Sequence, residues 1–258
     1  VALILNNFWG AETWDLHEIA DVTSSVASSA SQVKSGDRSY AIANNSSFRV
    51  LPFEVVTDAG DGHIIGFHYR RPPSGQAGFE SLCSMWEDQA QTNRSWELFT
   101  TDSSNPTSLR LHDANDVLIG SSSAILDDNT WYHIEIYVEH TGTGTIEVFV
   151  DGVSVIQSDT EDLTNGGTSD FLEFSPGNDD TSYVDDIYYL SGATSPDERL
   201  GPAEIYWYAS SKGSATPDDG GDNLHVGQWG AGVIGRPTNA SVQAEYTSAG
   251  AGAVDTTG

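Results

Sequence analysis

Trp131-Tyr132-His133-Ile134-Glu135-Ile136-Tyr137-Val138-Glu139-His140, Thr141-Gly142-Thr143-Gly144 and Thr145-Ile146-Glu147-Val148-Phe149-Val150-Asp151-Gly152 follow one another without a break. The first and third pieces alternate with period two, the signature of half-buried strands, and the second is a turn. Tyr132, Ile134, Ile136 and Val138 share one face of the outgoing strand. Ile146, Val148 and Val150 share one face of the returning strand. Two strands with matching aliphatic faces bury those faces between two sheets. The opposite face carries His133, Glu135, Tyr137, Glu139, Glu147 and Phe149. It is either solvated, the reading favoured for its glutamates, or the lining of a concave groove. Asp151-Gly152 predicts a type I′ turn into a third strand starting at Val153.

The same grammar extends outward in both directions. Strand patterns occur at 39–43, 48–56, 63–70, 79–86, 95–100, 108–112, 171–174 and 183–190, separated by Gly, Asn, Asp, Ser and Pro clusters. Short strands at this spacing predict an all-β, two-sheet antiparallel jelly-roll sandwich. Helix signals are weak. The best is 14–20, one or two turns capped by Thr13, and the Ser-rich stretch 22–32 reads as a surface loop. The apolar start Val1-Ala2-Leu3-Ile4-Leu5 is too short for a signal segment and reads as a first strand close to the true start of the chain.

The chain has 258 residues, within the range of a single all-β domain. No apolar run approaches the ~18 residues of a membrane span. A single cysteine, Cys83, rules out an intrachain disulfide and a thiolate metal cage. Its apolar neighbours make it a core thiol. Asp and Glu number 38 against 10 Lys and Arg, a net charge of −28. Such a surface repels phosphate backbones and anionic membranes, so neither nucleic acid nor membrane is a partner. It suits a soluble protein in salty surroundings, where repulsion is screened.

Composition changes near residue 209. Ten of the 26 glycines lie in the last fifty residues, among Ser, Ala, Thr and Asp. A segment this poor in apolar area reads as loop-like. Residues 1–208 are therefore expected to form the sandwich and 209–258 an extended arm used in assembly. Trp207, Trp229 and Tyr246 are the candidate interface residues, because a free tail would not need them.

Asn129-Thr130-Trp131-Tyr132-His133-Ile134-Glu135-Ile136 with Gly144-Thr145-Ile146-Glu147-Val148-Phe149-Val150-Asp151-Gly152 resembles the hallmark hairpin of concanavalin A-like, laminin-G-like jelly rolls. Three further segments, Leu3 to Trp9, Val33 to Ile42 and Tyr183 to Leu190 followed by Leu200-Gly201-Pro202, resemble the order of elements in virion proteins of tailed bacteriophages. The resemblance covers residues 1 to about 208, and the last fifty residues depart from it. It implies a non-enzymatic virion structural protein: a head decoration, head fibre or tail-associated component. Such a protein acts by assembly and display on the virion exterior, with copies of itself and other virion proteins as partners. The alternative is an extracellular carbohydrate-binding module or host-surface adhesin with a polysaccharide partner. A hydrolase or lyase of the same fold is a third reading.

Chemistry is sparse. Retaining hydrolases of this fold carry a Glu-x-Asp-x-(x)-Glu run, and Glu18-Ile19-Ala20-Asp21 and Trp86-Glu87-Asp88 lack its spacing. No catalytic residue is assigned. Seven histidines are scattered, and none forms a known metal or nucleophile motif. His133 is expected to be packed, and His63 and His68 to point to opposite faces of one strand. Sugars stack on aromatic rings, which makes Tyr137, Phe149, Trp86 and Trp96 the candidate carbohydrate-binding residues. Most such rings serve a core or an interface. Asp179, Asp180, Asp185 and Asp186 form the acidic cluster best suited to Ca2+, against the plainer reading that they stabilise turns.

Overall fold

The computed structural model describes residues 4–9, 19–22, 26–35, 38–43, 46–50, 62–72, 80–87, 93–101, 106–164, 171–175, 181–201, 204–209, 230–235, 243–246 and 254–255. Strands are numbered in chain order. The first sheet holds β1 (Ile4–Trp9), β3 (Val26–Ser29), β4 (Ser39–Ile42), β6 (Gly62–Arg70), β11 (Trp131–Glu139), β12 (Gly144–Val150), β13 (Val153–Glu161) and β15 (Ser182–Ala193). Its order is β13-β12-β11-β6-β15-β4-β3, and β1 also pairs with β15. The second sheet holds β2 (Ile19–Val22), β5 (Phe48–Val50), β7 (Glu80–Trp86), β8 (Arg94–Thr100), β9 (Leu109–Asp113), β10 (Leu118–Ser121) and β14 (Phe171–Phe174). Its order is β10-β9-β8-β7-β14-β5-β2. All pairings are antiparallel. This is the two-sheet jelly-roll sandwich that the strand spacing predicts.

The hairpin works as its alternation requires. Ile134, Ile136 and Val138 pair in register with Val150, Val148 and Ile146, and all six lie in the core. Tyr132 packs against its margin. From β6 come Ile65, Phe67 and Tyr69, opposite Ile136, Ile134 and Tyr132. The second sheet contributes Leu82, Cys83, Met85, Trp96, Leu98, Leu109, Leu111, Leu172 and Phe174 to the same cluster. Asp151 and Gly152 both have positive φ, 49° and 80°, as a type I′ turn needs. Cys83 is a buried free thiol, and burial pushes its pKa well up.

Three local expectations change. Ile19–Val22 is a strand at the margin of the second sheet, so the helix proposed for 14–20 does not extend through Ile19 and Ala20; residues 14–18 lie outside the described residues. Val26–Ser29 pairs with β4, so part of the Ser-rich stretch is an edge strand. The C-terminal region holds a third sheet, β16 (Glu204–Ala209), β17 (Gly230–Gly235), β18 (Gln243–Tyr246) and β19 (Val254–Asp255), in that order. Backbone pairing there does not depend on a large apolar area, which is why a glycine-rich composition hides it.

Candidate functional site

Each sheet turns one face to the core and one outward, and both outward faces are polar and aromatic. On the second sheet, register places Arg49, Glu173, Ser84, Glu97 and His112 side by side across β5, β14, β7, β8 and β9. On one side of this polar rung lie Phe171 and Trp86, which are paired, and Arg94 opposite Trp86. On the other side lie Ser81, Phe99, Arg110 and Ser121.

Ion pairs organise the face. Arg49 Nε is 3.5 Å from Glu173 Oε1, and its guanidinium lies 5.0 Å from the Phe171 ring centre. Arg94 contacts Glu97 through one nitrogen and Asp116 Oδ1 at 2.9 Å through another, and lies 5.8 Å from the Trp86 ring. The Trp86 indole N–H donates to Ser84 Oγ at 2.7 Å. His112 sits 5.0 Å from the Phe99 ring and 3.2 Å from Asp116. Hydrogen bonding from His112, with help from Arg94, holds the Asp116 carboxyl below its usual range. Trp86, Phe99, Arg110 and His112 are half-buried, so their rings and donors remain within reach of solvent.

On the first sheet the corresponding rung is Phe149, Glu135, Gly66 and Tyr188, across β12, β11, β6 and β15. A Cβ on Gly66 would meet the Tyr188 ring at 2.0 Å, so the ring lies where a side chain would stand. The Tyr188 hydroxyl donates to Glu135 Oε1 at 2.5 Å. His133 and His68 are paired on the adjacent rung with ring centres 4.8 Å apart. Burial first, then the nearby His68 and Lys34 charges, hold the His133 pKa down to about 2. This face is closed. Residues 194–201, which include the 3-10 turn Pro196–Glu198, reach Glu135 and Phe149 through Gly201 and Arg199.

The sequence-derived candidates separate accordingly. Trp96 is fully buried and belongs to the core, because its parity on β8 faces inward with Leu98. Tyr137 and Phe149 do lie on the outward face of the hairpin, yet both are buried. The Tyr137 ring would clash with a Cβ on Gly62 at 2.7 Å, and Arg199 covers Phe149. Glu135 and Glu147 are buried too, so the expected solvated acidic face is instead a covered one. Trp86 alone of the four lies half-buried on an outward face.

Asp185 and Asp186 are buried and engaged as anchors. Asp185 accepts from the Lys34, Ser35 and Asp186 amides, and Asp186 takes the Ser35 hydroxyl and lies 3.0 Å from His68 Nδ1. With these oxygens turned to protein donors the pair does not fit a Ca2+ shell of six to eight oxygens. Among the described residues no group of three His, Cys, Asp or Glu is placed to hold a metal. Asp179, Asp180 and Trp229 lie outside the described residues, and Trp207 and Tyr246 lie on β16 and β18, each paired with β17. Sequence reasoning missed Phe99, Arg94, Arg110 and His112. Alternation on each strand shows which residues point outward, but no signal in the sequence reveals that β7, β8 and β9 are neighbours.

No protein-family model matches the chain, and no curated protein matches it. Solved structures do. An endo-beta-1,4-glucuronan lyase from the fungus Trichoderma reesei superposes with a TM-score of 0.55 at 11% identity, covering 72% of this chain and 95% of that one. Cellulose induced protein, Cip1, gives 0.52 at 14% identity, covering 70% and 94%. Domain 4 of AbnA, an extracellular arabinanase from Geobacillus stearothermophilus, in complex with arabinotriose, gives 0.51 at 11% identity, covering 76% and 97%. These relatives lend no support to a virion role or to virion partners. Among the described residues no helix is long and apolar enough to cross a membrane. At such low identity the likeness establishes one thing about this chain, the jelly-roll sandwich itself.

Proposed function

We propose that this protein is a non-catalytic glycan-binding domain that acts outside the cell and lays a neutral sugar chain across the outward face of its second sheet. The observation that carries the reading is the polar rung Arg49, Glu173, Ser84, Glu97 and His112, flanked by the half-buried rings of Trp86 and Phe99. Rings supply stacking surface for the apolar faces of sugars, and fixed polar groups orient their hydroxyls. That similar folds occur in glycan-active proteins supports the reading by analogy only.

Charge favours a neutral ligand. A chain at −28 repels a polyanion at long range, and Arg49 and Arg94 already face carboxylates. The same pairing argues against glycoside hydrolysis. Glu97 and Glu173 share a rung two strands apart, roughly 10 Å between backbones. Each is ion-paired with an arginine, whereas hydrolysis needs one carboxyl to donate a proton to the leaving oxygen.

The test is calorimetric titration with arabinotriose, cellohexaose and glucuronan oligosaccharides, alongside assays for new reducing ends and unsaturated products. Binding of a neutral probe, lost in Trp86→Ala and weakened in Phe99→Ala, with no product formed, is the expected result. No binding by any probe, or binding indifferent to Trp86→Ala, would sink the reading.

A further inference from the structure

The outward face of the first sheet has the composition of a ligand surface but the burial of a core. Phe149, Tyr137 and Tyr188 lie on it with Glu135, His133 and His68, and all are buried. On the hairpin strands the core side is aliphatic instead, with Ile134, Ile136, Val138, Ile146, Val148 and Val150. His133 has no hydrogen-bond partner at Nε2 among the described residues, although it is almost wholly buried. Such an atom is costly unless a ligand or water serves it in some state of the protein.

Among the described residues, Lys34 and Ser35 reach the His68 and Asp186 end of this face, and a thin polar strap reaches its Glu135 and Phe149 end. The Gly201 amide donates to Glu135 Oε1 at 2.9 Å, and Arg199 Nε lies 3.6 Å from Glu135 Oε2. The Arg199 guanidinium sits 3.6 Å from the centre of the Phe149 ring, the stacking distance a sugar would take. Among the described residues the strap also carries local bonds: Arg199 donates to the Pro196 carbonyl at 2.8 Å, and the Thr194 amide to Glu198 at 2.6 Å. Its 3-10 turn buries no residue. A turn with no buried residue, held by local hydrogen bonds, belongs to the part of a fold that opens at low free energy.

We propose that residues 194–201 mask a second glycan-binding face on the first sheet, with Arg199 occupying the place on Phe149 that a neutral sugar ring takes when the strap lifts. The face would offer Phe149 for stacking, Glu135 as hydroxyl acceptor and the His133 imidazole as a further polar contact. An acidic sugar is disfavoured, since Glu135, Glu147 and Asp186 share the face. The ligand class rests on the glycan reading of the protein; the masking does not.

The experiment uses the full chain as wild type, Arg199→Ala, Gly201→Pro, Trp86→Ala and the Trp86→Ala/Arg199→Ala pair. Gly201→Pro removes the amide that holds Glu135 and forbids the φ of +72° found there. Amide exchange over 194–200 reports strap opening, and calorimetry with cellohexaose and arabinotriose reports binding. Faster exchange in Arg199→Ala or Gly201→Pro is expected. The paired variant should bind a neutral probe about tenfold or more tighter than Trp86→Ala, because a closed strap taxes affinity by its population. An opened strap with no binding by the paired variant overturns this inference and leaves the second-sheet site standing. Binding by the strap variants when wild type binds nothing keeps this inference and removes the second-sheet site. Unchanged exchange in both strap variants makes the strap an integral part of the fold and refutes the proposal.

Discussion

The outward faces of the two sheets are built alike and finished differently. Both carry a rung that includes glutamate, rings in or beside it and arginine against a ring. On the second sheet, Arg94 and Arg49 come from the sheet's own strands, and the face stays half open. On the first sheet, Arg199 comes from a segment that follows the last strand of the sandwich, and the face is closed. The same alternation of residue types thus yields an open surface or a buried polar layer, according to whether the chain crosses it. Burial then changes what each carboxylate contributes. Glu135 is fully buried, accepts from the Tyr188 hydroxyl and the Gly201 amide and lies 3.6 Å from Arg199 Nε, whereas Asp116 is 72% exposed.

This contrast is broken most sharply by Glu135→Ala. Loss of the carboxylate leaves Arg199, the Tyr188 hydroxyl and the Gly201 amide without their shared acceptor. The expected cost is about 3–5 kcal/mol in urea unfolding, typical of breaking a buried ionic group. A loss under about 1 kcal/mol would mean that the closed face is wetter than its burial implies.

Acid should act next most strongly, and on interior histidines rather than on the open face. His63 is held down to about 3 by burial and the neighbouring His140, and His133 to about 2. The folded values lie below the unfolded value near 6.5, so the unfolded chain binds more protons below that pH. Stability contributed by the neutral rings is present above about 6.5 and is lost as pH falls towards the folded values, by about 1.4 kcal/mol per pH unit for each ring. Urea midpoints measured from pH 7 to 4 should fall, and His133→Gln should flatten the fall. An equal slope in that variant would remove His133 from the account.

Gly66→Ala tests the rung itself. The new methyl would meet the Tyr188 ring, and about 1–3 kcal/mol of overpacking cost is expected, with loss of the Tyr188 contact to Glu135. Thermal melting and tyrosine fluorescence read both. Smallest of all should be Asp116→Asn on the open face, within about 1 kcal/mol and fading in high salt. A large loss there would show that the second face is more tightly organised than its exposure suggests.

Local periodicity is enough to fix the strands and what each turns inward. Ile134, Ile136 and Val138 against Ile146, Val148 and Val150, the turn at Asp151-Gly152 and the opposite faces of His63 and His68 all follow from local periodicity and backbone sterics. The jelly roll follows from many such strands at short spacing. Tertiary structure alone decided which strands are neighbours, and hence that Glu97 meets Ser84 and His112, and Glu135 meets Phe149 and Gly66. It also sent Trp96 into the core, hid Tyr137 and Phe149, and turned Asp185 and Asp186 to the amides and hydroxyl of Lys34 and Ser35. Alternation specifies a face, but burial of that face depends on contacts between residues far apart in the chain, which no local pattern encodes.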